Sequence, residues 1–184
     1  MADIARTIIV FALENFSLSF FVLGLVVGGV ASARQSPRDG AVIVEKLLSW
    51  YVFCAIGLSF LYNFVMHVFF GPMAAAFIGW ADSPFQFEVG TASLGFAAVG
   101  FLAAWGSFEA RLAAILGPSM FTLGAAVGHV HQMIAAHNFA PGNAGVILYM
   151  DIIVPLAGFA LLWLDRRLAQ VRRGSLRSHN GAAA

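Results

Sequence analysis

Residues 146–167 read VILYMDIIVPLAGFALLWLDRR, a long apolar stretch that ends in one acidic and two basic residues. A helix that crosses the hydrocarbon core of a bilayer needs about 20 residues, and this stretch is long enough. The short cytoplasmic loops of membrane proteins carry an excess of Lys and Arg. The stretch therefore predicts a transmembrane helix whose C-terminal end lies in the cytoplasm.

The composition of the whole chain is that of an integral membrane protein. The 184 residues are 60% hydrophobic and 10% charged, and the mean hydropathy is +0.85. Soluble domains carry roughly 25% charged residues, so this chain has too few charges to cover a soluble surface. This composition predicts a lipid bilayer as a partner, and the net charge of +1 predicts no nucleic acid as a partner. Cys54 is the only cysteine, which excludes a disulfide framework.

Four further stretches have the length and hydropathy of a membrane span, so the prediction is an all-α bundle of five transmembrane helices. Turn or charge signals such as SPRDG, FGP and FEAR separate the stretches. Residues 1–165 are predicted to form one transmembrane domain, and residues 166–184 a basic, flexible cytoplasmic tail. The predicted helices span residues 7–30, 47–70, 88–107, 112–137 and 146–164.

Basic residues are distributed unevenly between the loops. Nine of the ten Lys and Arg residues lie in the first and third loops and in the C-terminal tail: Arg34, Arg38, Lys46, Arg111, Arg166, Arg167, Arg172, Arg173 and Arg177. The loops at 71–87 and 138–145 contain neither Lys nor Arg. The rule for cytoplasmic loops then predicts an N-terminus outside and a C-terminus in the cytoplasm. The short segment 73–80, MAAAFIGW, is predicted to lie in the outer interface or to re-enter the membrane.

Four polar residues of the predicted spans fall at one depth. Glu14, Asn63, His131 and Asp151 are each five to seven residues from the outer end of a span, which is roughly 8 to 11 Å at 1.5 Å per residue. Ionisable residues inside a bilayer are costly and normally face the bundle interior. We therefore expect a functional site in the outer half of the bundle, and nothing comparable in the cytoplasmic half.

Helical phase separates the two histidines of the fourth span. His131 shares a stripe with Gly124 and Gly128, a small-xxx-small pair that allows close approach of another helix. His131 is therefore expected to point into the bundle. His129 is two residues away, about 200° around the helix, and is expected to be a packing residue.

The residue types of this layer are those of a cofactor site. Histidine and carboxylate ligands from separate helices are typical of metal sites in helix bundles, and paired histidines of haem ligation. The predicted ligands of a transition metal ion are Glu14, Glu88, His131 and Asp151. The predicted contacts of a metal ion or haem are Glu14, His67, Glu88, His131 and Asp151, with His129, His137 and Asn63 as second choices.

Two other functions remain open on the sequence. A layer formed by Glu14, His131 and Asp151 is also suited to a small proton-coupled transporter. Alternatively, the chain is a non-catalytic accessory subunit of a larger membrane complex. In that case its glycine-rich helix faces bind partners or form a homo-oligomer.

Two motifs resemble a known family. The runs GWADSPFQFEVGTASLGF and HNFAPGNAGVILYMDIIVP are similar to those of small polytopic bacterial membrane proteins that form a domain family of unknown function. The resemblance covers roughly residues 60–160 and rests on Trp80, residues 83–88, residues 137–145 and Asp151. It implies a multi-pass protein of the bacterial inner membrane, and it implies no activity.

Overall fold

The computed structural model describes the backbone of residues 1–181 and the side chains of residue 1 and residues 3–172. Over these residues the chain is built from helices alone. Five helical segments are long and apolar enough to cross a membrane, as the sequence predicts. The five segments are Phe16–Ala33, Gly40–Phe69, Phe85–Ala103, Phe108–Ala136 and Pro141–Arg172.

The helices follow one another with short connections. In chain order they are α1 (Ala2–Glu14), α2 (Phe16–Ala33), α3 (Gly40–Tyr51), a π-helical segment (Val52–Leu58), α4 (Ser59–Phe69), α5 (Gly71–Ile78), α6 (Phe85–Ala103), α7 (Phe108–Ala136), α8 (Pro141–Ala144) and α9 (Val146–Gly181). Each connection from α6 to α9 is short, so consecutive long helices run antiparallel.

The first predicted span, residues 7–30, is wrong at its start, because the helix breaks at Asn15. The backbone of Asn15 has φ −113° and ψ 42°, outside the helical region. Its side-chain Nδ2 donates a 2.9 Å hydrogen bond to the carbonyl of Phe11. Asparagine side chains compete in this way with helical hydrogen bonds. Glu14 consequently ends α1 and does not belong to the membrane-spanning α2.

The second span starts at Gly40, seven residues before the predicted start. Asp39 caps the helix, since its Oδ1 accepts a 2.9 Å hydrogen bond from the backbone N–H of Val42. Midway along this second span, the π-helical segment Val52–Leu58 interrupts the regular α-helix. There the backbone of α6 comes close: a Cβ atom added to Gly100 would lie 2.8 Å from the nitrogen of Gly57. Only glycine at position 100 allows this approach.

The last helix extends beyond its predicted end at residue 164. The segment predicted as a flexible tail is helical as far as Gly181. Residues 165–173 contain no proline or glycine, so no residue there favours an end to the helix. Residues 182–184 of the predicted tail lie outside the described residues.

The two ends of the bundle differ. One end, here called the cap end, is covered by α5, α8 and the loops 79–84 and 137–140. The predicted short segment 73–80 belongs to α5, which stops at Gly79 in the left-handed conformation, φ 76°. The opposite end, the basic end, carries the loop 34–39 and the arginines of α9. Between the ends, Leu48, Tyr51 and Ile56 of the second span pack against Ile115 and Met150 in one apolar core.

Candidate functional site

Three side chains from three separate segments meet at the cap end. Asn143 of α8 is completely buried. Its Oδ1 accepts a 2.8 Å hydrogen bond from Nε1 of Trp80 and lies 2.8 Å from Nδ1 of His129 on α7. The rings of Trp80 and His129 also contact each other, with centroids 5.4 Å apart. These contacts fasten the loop after α5 to α7 and α8.

The hydrogen bonds of Asn143 fix the proton on His129. Nδ2 of Asn143 donates to the carbonyl oxygens of His129, at 3.2 Å, and of Asn138, at 2.9 Å. The nitrogen of the amide is therefore assigned by its two acceptors, and the other atom is the oxygen. Because an amide oxygen only accepts, Nδ1 of His129 must carry the hydrogen. In the neutral imidazole, Nε2 is then the nitrogen with the lone pair.

Asp151 of α9 faces that lone pair. Its Oδ2 lies 3.6 Å from Nε2 of His129, and the side chains are 14% and 7% exposed, respectively. The separation of 3.6 Å is longer than a hydrogen bond, so the two side chains face each other without one. His129 and Asp151 are thus a buried pair of ionisable side chains, and either of them is able to carry a proton.

A second amide closes the cap. Nδ2 of Asn138 donates to the carbonyls of Ile78 and Gly79, at 3.0 and 3.1 Å, and its Oδ1 accepts from the N–H of Ala140 at 3.0 Å. His137, just before it, adopts the left-handed conformation that ends α7, with φ 50°. The cap is therefore held by amide side chains that bond to backbone groups of another segment.

Two of the predicted site residues, His67 and Asn63, lie in separate contacts between α4 and α6. Nδ1 of His67 contacts Oε1 of Gln86. Four residues earlier on α4, Nδ2 of Asn63 donates a 2.9 Å hydrogen bond to Oγ of Ser93. Both contacts join neighbouring helices, and neither includes His129 or Asp151.

The expectation that His131 points into the bundle is wrong. Its side chain is exposed, whereas His129 is buried, with 5% exposure. The interior face of α7 is instead defined by Arg111, Pro118 and Ala126, all of which are buried. His129 continues that face, and His131 is about 200° away from it. Of the two glycines on the stripe of His131, Gly124 is exposed, and a Cβ atom on Gly128 would lie 3.5 Å from the ring of Trp80 and not against another long helix.

The other predicted ligands are also dispersed. Glu14, Glu88 and His137 are exposed. Among the residues whose side chains are described, no group of three or more His, Cys, Asp or Glu is close enough to hold a metal ion. The structure thus brings Asp151 together with His129, a second choice, and does not assemble the set Glu14, Glu88, His131 and Asp151.

The basic end contains a buried polar group that the sequence pattern does not predict. Arg111 is 7% exposed, and its Nη2 donates to Oγ of Ser49 at 2.9 Å and to Oε1 of Glu45 at 3.3 Å. Glu45 also pairs with Lys46 at 2.9 Å. Nε of Arg111 is buried without a hydrogen-bond partner among the described residues. Arg111, taken from the sequence as a loop residue, thus belongs to the inside of α7.

One hydroxyl, that of Tyr51, lies between the polar group at the cap end and the polar group at the basic end. Tyr51 is fully buried, and its hydroxyl donates a 2.7 Å hydrogen bond to the carbonyl of Val154. Val154 is one helical turn from Asp151, and Tyr51 is two residues from Ser49. The three helices α3, α7 and α9 therefore carry polar side chains at the cap end, in the middle and at the basic end.

Helical phase alone could have identified the interior face of α7. Arg111 and His129 are 18 residues apart, which is five full turns, so they share a face. Trp80 belongs to the segment 73–80, which the sequence predicts to lie in the outer interface or to re-enter the membrane, and Asn143 to a predicted loop. No sequence signal connects residues of two different loops to His129.

Comparison with known proteins gives a family without a described activity. No curated protein and no solved structure matches the chain significantly. A family model matches residues 14–171, which include the cap, both polar groups and all five spans. The chain therefore belongs to the Family of unknown function (DUF6790).

Proposed function

We propose that this multi-pass protein moves protons across the bacterial inner membrane, and that His129 and Asp151 are its proton-binding pair. The observation that supports this function best is the orientation of His129. Asn143 holds the Nδ1 hydrogen, so Nε2 faces Oδ2 of Asp151 at 3.6 Å. A buried histidine and carboxyl inside a membrane are the residue types of proton relays.

The pair changes its proton content without any change in the cap. Nδ1 of His129 keeps its hydrogen bond to Asn143 in every state. A proton arriving at the pair binds Nε2 of His129 or the carboxyl of Asp151, and it leaves from the same atoms. The imidazole thus remains oriented while its charge changes, as a group that repeatedly binds and releases protons requires.

Protons enter from the cap end, which the distribution of Lys and Arg predicts to lie outside. Trp80 covers His129 and is itself 38% exposed, so a small movement of the loop after α5 admits water to the pair. This loop and its neighbour contain no Lys or Arg, which leaves the entrance free of repelling positive charge.

The route to the basic end follows the interface of α3, α7 and α9. Pro155 has no N–H, so the carbonyl of Asp151 lacks its helical donor and is free to bind water. The hydroxyl of Tyr51 comes next, followed by Ser49, Glu45 and Arg111. His129 and Arg111 are about 27 Å apart along α7 at 1.5 Å per residue, close to the thickness of the hydrocarbon core.

Proton flux into liposomes tests the proposal. The full chain is reconstituted with a pH-sensitive dye inside the vesicles, and a potassium diffusion potential drives the protons. We expect flux above that of empty vesicles for the native chain, and a fall of about 100-fold in Asp151→Asn, because a single relay group contributes at least two orders of magnitude. Glu14→Gln is the matched control, since that carboxyl is exposed at the end of α1, and its flux should be unchanged.

Two results separate this function from its alternatives. If the native chain gives no more flux than empty vesicles, proton movement is rejected, and the accessory-subunit alternative is then the better account of the hydrogen-bonded cap. If Glu14→Gln abolishes flux and Asp151→Asn does not, the relay is elsewhere. The metal or haem site predicted from sequence is not proposed further, because its ligand set is dispersed among the described residues.

A further inference from the structure

The glycines of the spans fall into two classes. At most of them a Cβ atom would meet a neighbouring helix: at Gly24 it would lie 2.8 Å from the carbonyl oxygen of Trp50, and at Gly28 2.9 Å from Cα of Leu47. At Gly95 on α6 and Gly124 on α7, by contrast, nothing lies within 4 Å. A Cβ atom on either of these two glycines would therefore point into open space.

Gly95 and Gly124 border one groove. α6 and α7 run antiparallel and touch through Phe96 and Phe121, whose ring centroids are 5.5 Å apart. Each open glycine is next to this pair in helical register, one residue before Phe96 and three residues after Phe121. Ala92, Val99 and Met120 are further exposed side chains along this side of the two helices. We call the surface formed by these residues the α6–α7 groove.

Two exposed ionisable residues extend the groove towards the cap end. Glu88 lies seven residues from Gly95 on α6, and His131 lies seven residues from Gly124 on α7. Seven residues return a helix to nearly the same direction, so each lies above its glycine on the same stripe. Both are close to the cap end, roughly 5 and 8 Å from the helix ends. An acid and a histidine are thus presented at similar depth on the two borders.

We propose that the α6–α7 groove binds the same groove of a second copy of this chain. A two-fold axis along the membrane normal places α6 of each copy opposite α7 of the other, as an isologous interface requires. Glu88 of one copy then faces His131 of its partner, twice. The open glycines let the backbones approach closely, and the two carboxyl–imidazole contacts take the ionisable groups away from lipid. This interface does not depend on the proton-binding role of His129.

The oligomeric state in bilayers tests the interface. The full chain is labelled with a fluorophore, reconstituted at low density into phospholipid vesicles, and its subunits are counted by stepwise photobleaching. We expect a dimer for the native chain. Gly124→Leu fills the groove and should weaken the dimer by about tenfold or more. Gly29→Leu is the matched control, because Gly29 of α2 also has nothing within 4 Å but lies outside the groove. It should leave the dimer intact.

Charge exchange keeps the test independent of any folding defect in Gly124→Leu. Glu88→His alone places two histidines in each contact and should weaken the dimer, whereas Glu88→His combined with His131→Glu restores opposite partners and should restore it. In a Cys54→Ala background, Ala92→Cys should form a disulfide-linked dimer when the thiols are oxidised with copper phenanthroline.

Three results would each overturn the proposal. The first is a native chain that is monomeric at every density. The second is a dimer that is insensitive to both Gly124→Leu and Glu88→His, and the third is an Ala92→Cys chain that crosslinks to a different polypeptide and not to itself.

Discussion

The cap end and the basic end both bury polar side chains, but different bonds hold them in place. At the cap end, Asn143 is completely buried and uses its amide oxygen and nitrogen in four contacts with loop and helix groups. At the basic end, Arg111 is held by Ser49 and by Glu45, whose side chain is 36% exposed. The amide of Asn143 is fully enclosed, so no water can replace its partners. The carboxylate of Glu45 is partly exposed, so water can replace Arg111 as its partner.

The chemistry of the two groups differs as well. Histidine and aspartate side chains both exist in protonated and unprotonated forms, so His129 and Asp151 are groups that can carry a proton. Arg111 is protonated under all conditions, so the basic end has a fixed positive charge. The proposed proton binding therefore belongs to the cap end, and the basic end contributes a fixed positive charge, although the basic end contains more formal charge.

The largest effect on stability is expected from Asn143→Ala. The change leaves Trp80 Nε1, His129 Nδ1 and two backbone carbonyls without their partner, and each buried unsatisfied group costs about 1–3 kcal/mol. We expect a loss of roughly 3–5 kcal/mol in the free energy of unfolding, since some groups will find water. Reversible unfolding in mixed detergent micelles measures it. Asn63→Ala, which removes one hydrogen bond to Ser93, is the control and should cost about 1 kcal/mol.

A smaller loss is expected from Arg111→Leu, despite the removal of a charge. Glu45 keeps its 2.9 Å pair with Lys46 and its contact with water, so it is not left as an isolated buried charge. Hydrogen bonds to charged groups contribute about 1.5–3 kcal/mol, and the half-exposed partner reduces this to about 1–2 kcal/mol. The same unfolding assay applies. A loss greater than that of Asn143→Ala would reverse the comparison between the two ends.

Tyr51→Phe should have the smallest effect on stability. It removes one hydroxyl that bonds to the carbonyl of Val154 and leaves the ring packing intact, which predicts a loss of about 0.5–1.5 kcal/mol. Its effect on proton flux should be larger than its effect on stability, because the hydroxyl lies between the two polar groups. Flux equal to that of the native chain would show that protons do not pass Tyr51.

The five spans could be predicted from the sequence because hydropathy and length decide membrane insertion almost alone. The faces of these spans that point into the bundle could not be predicted from the sequence. The stripe of Gly124 and Gly128 looks the same in the sequence whether it packs inside the bundle or faces outwards, and this ambiguity led to His131 in place of His129. The break at Asn15 depends on one side-chain hydrogen bond, which hydropathy does not detect.

Of the candidate site, the sequence predicted Asp151 but not the contacts that surround it. Asp151 could be identified because a carboxyl inside a span needs a partner. Its partner His129 is oriented by Asn143 and covered by Trp80. Trp80 and Asn143 are 63 positions apart in the sequence. No periodic pattern relates them. Arg111 was missed because its position after FEA reads as a loop, while Ser107 caps α7 and brings Arg111 into the first turns of the helix.

Nitrogen NMR of the chain in lipid bilayers, labelled at histidine, tests the proton-binding pair most directly. The resonances of His129 are assigned by their loss in His129→Gln. We expect the hydrogen on Nδ1 of His129 in the native chain, because Oδ1 of Asn143 accepts it. The chemical shift of Nε2 should also differ between the native chain and Asp151→Asn, since Oδ2 of Asp151 lies 3.6 Å from it. A neutral His129 with its hydrogen on Nε2, or an Nε2 shift that is the same in Asp151→Asn, would contradict proton binding by this pair.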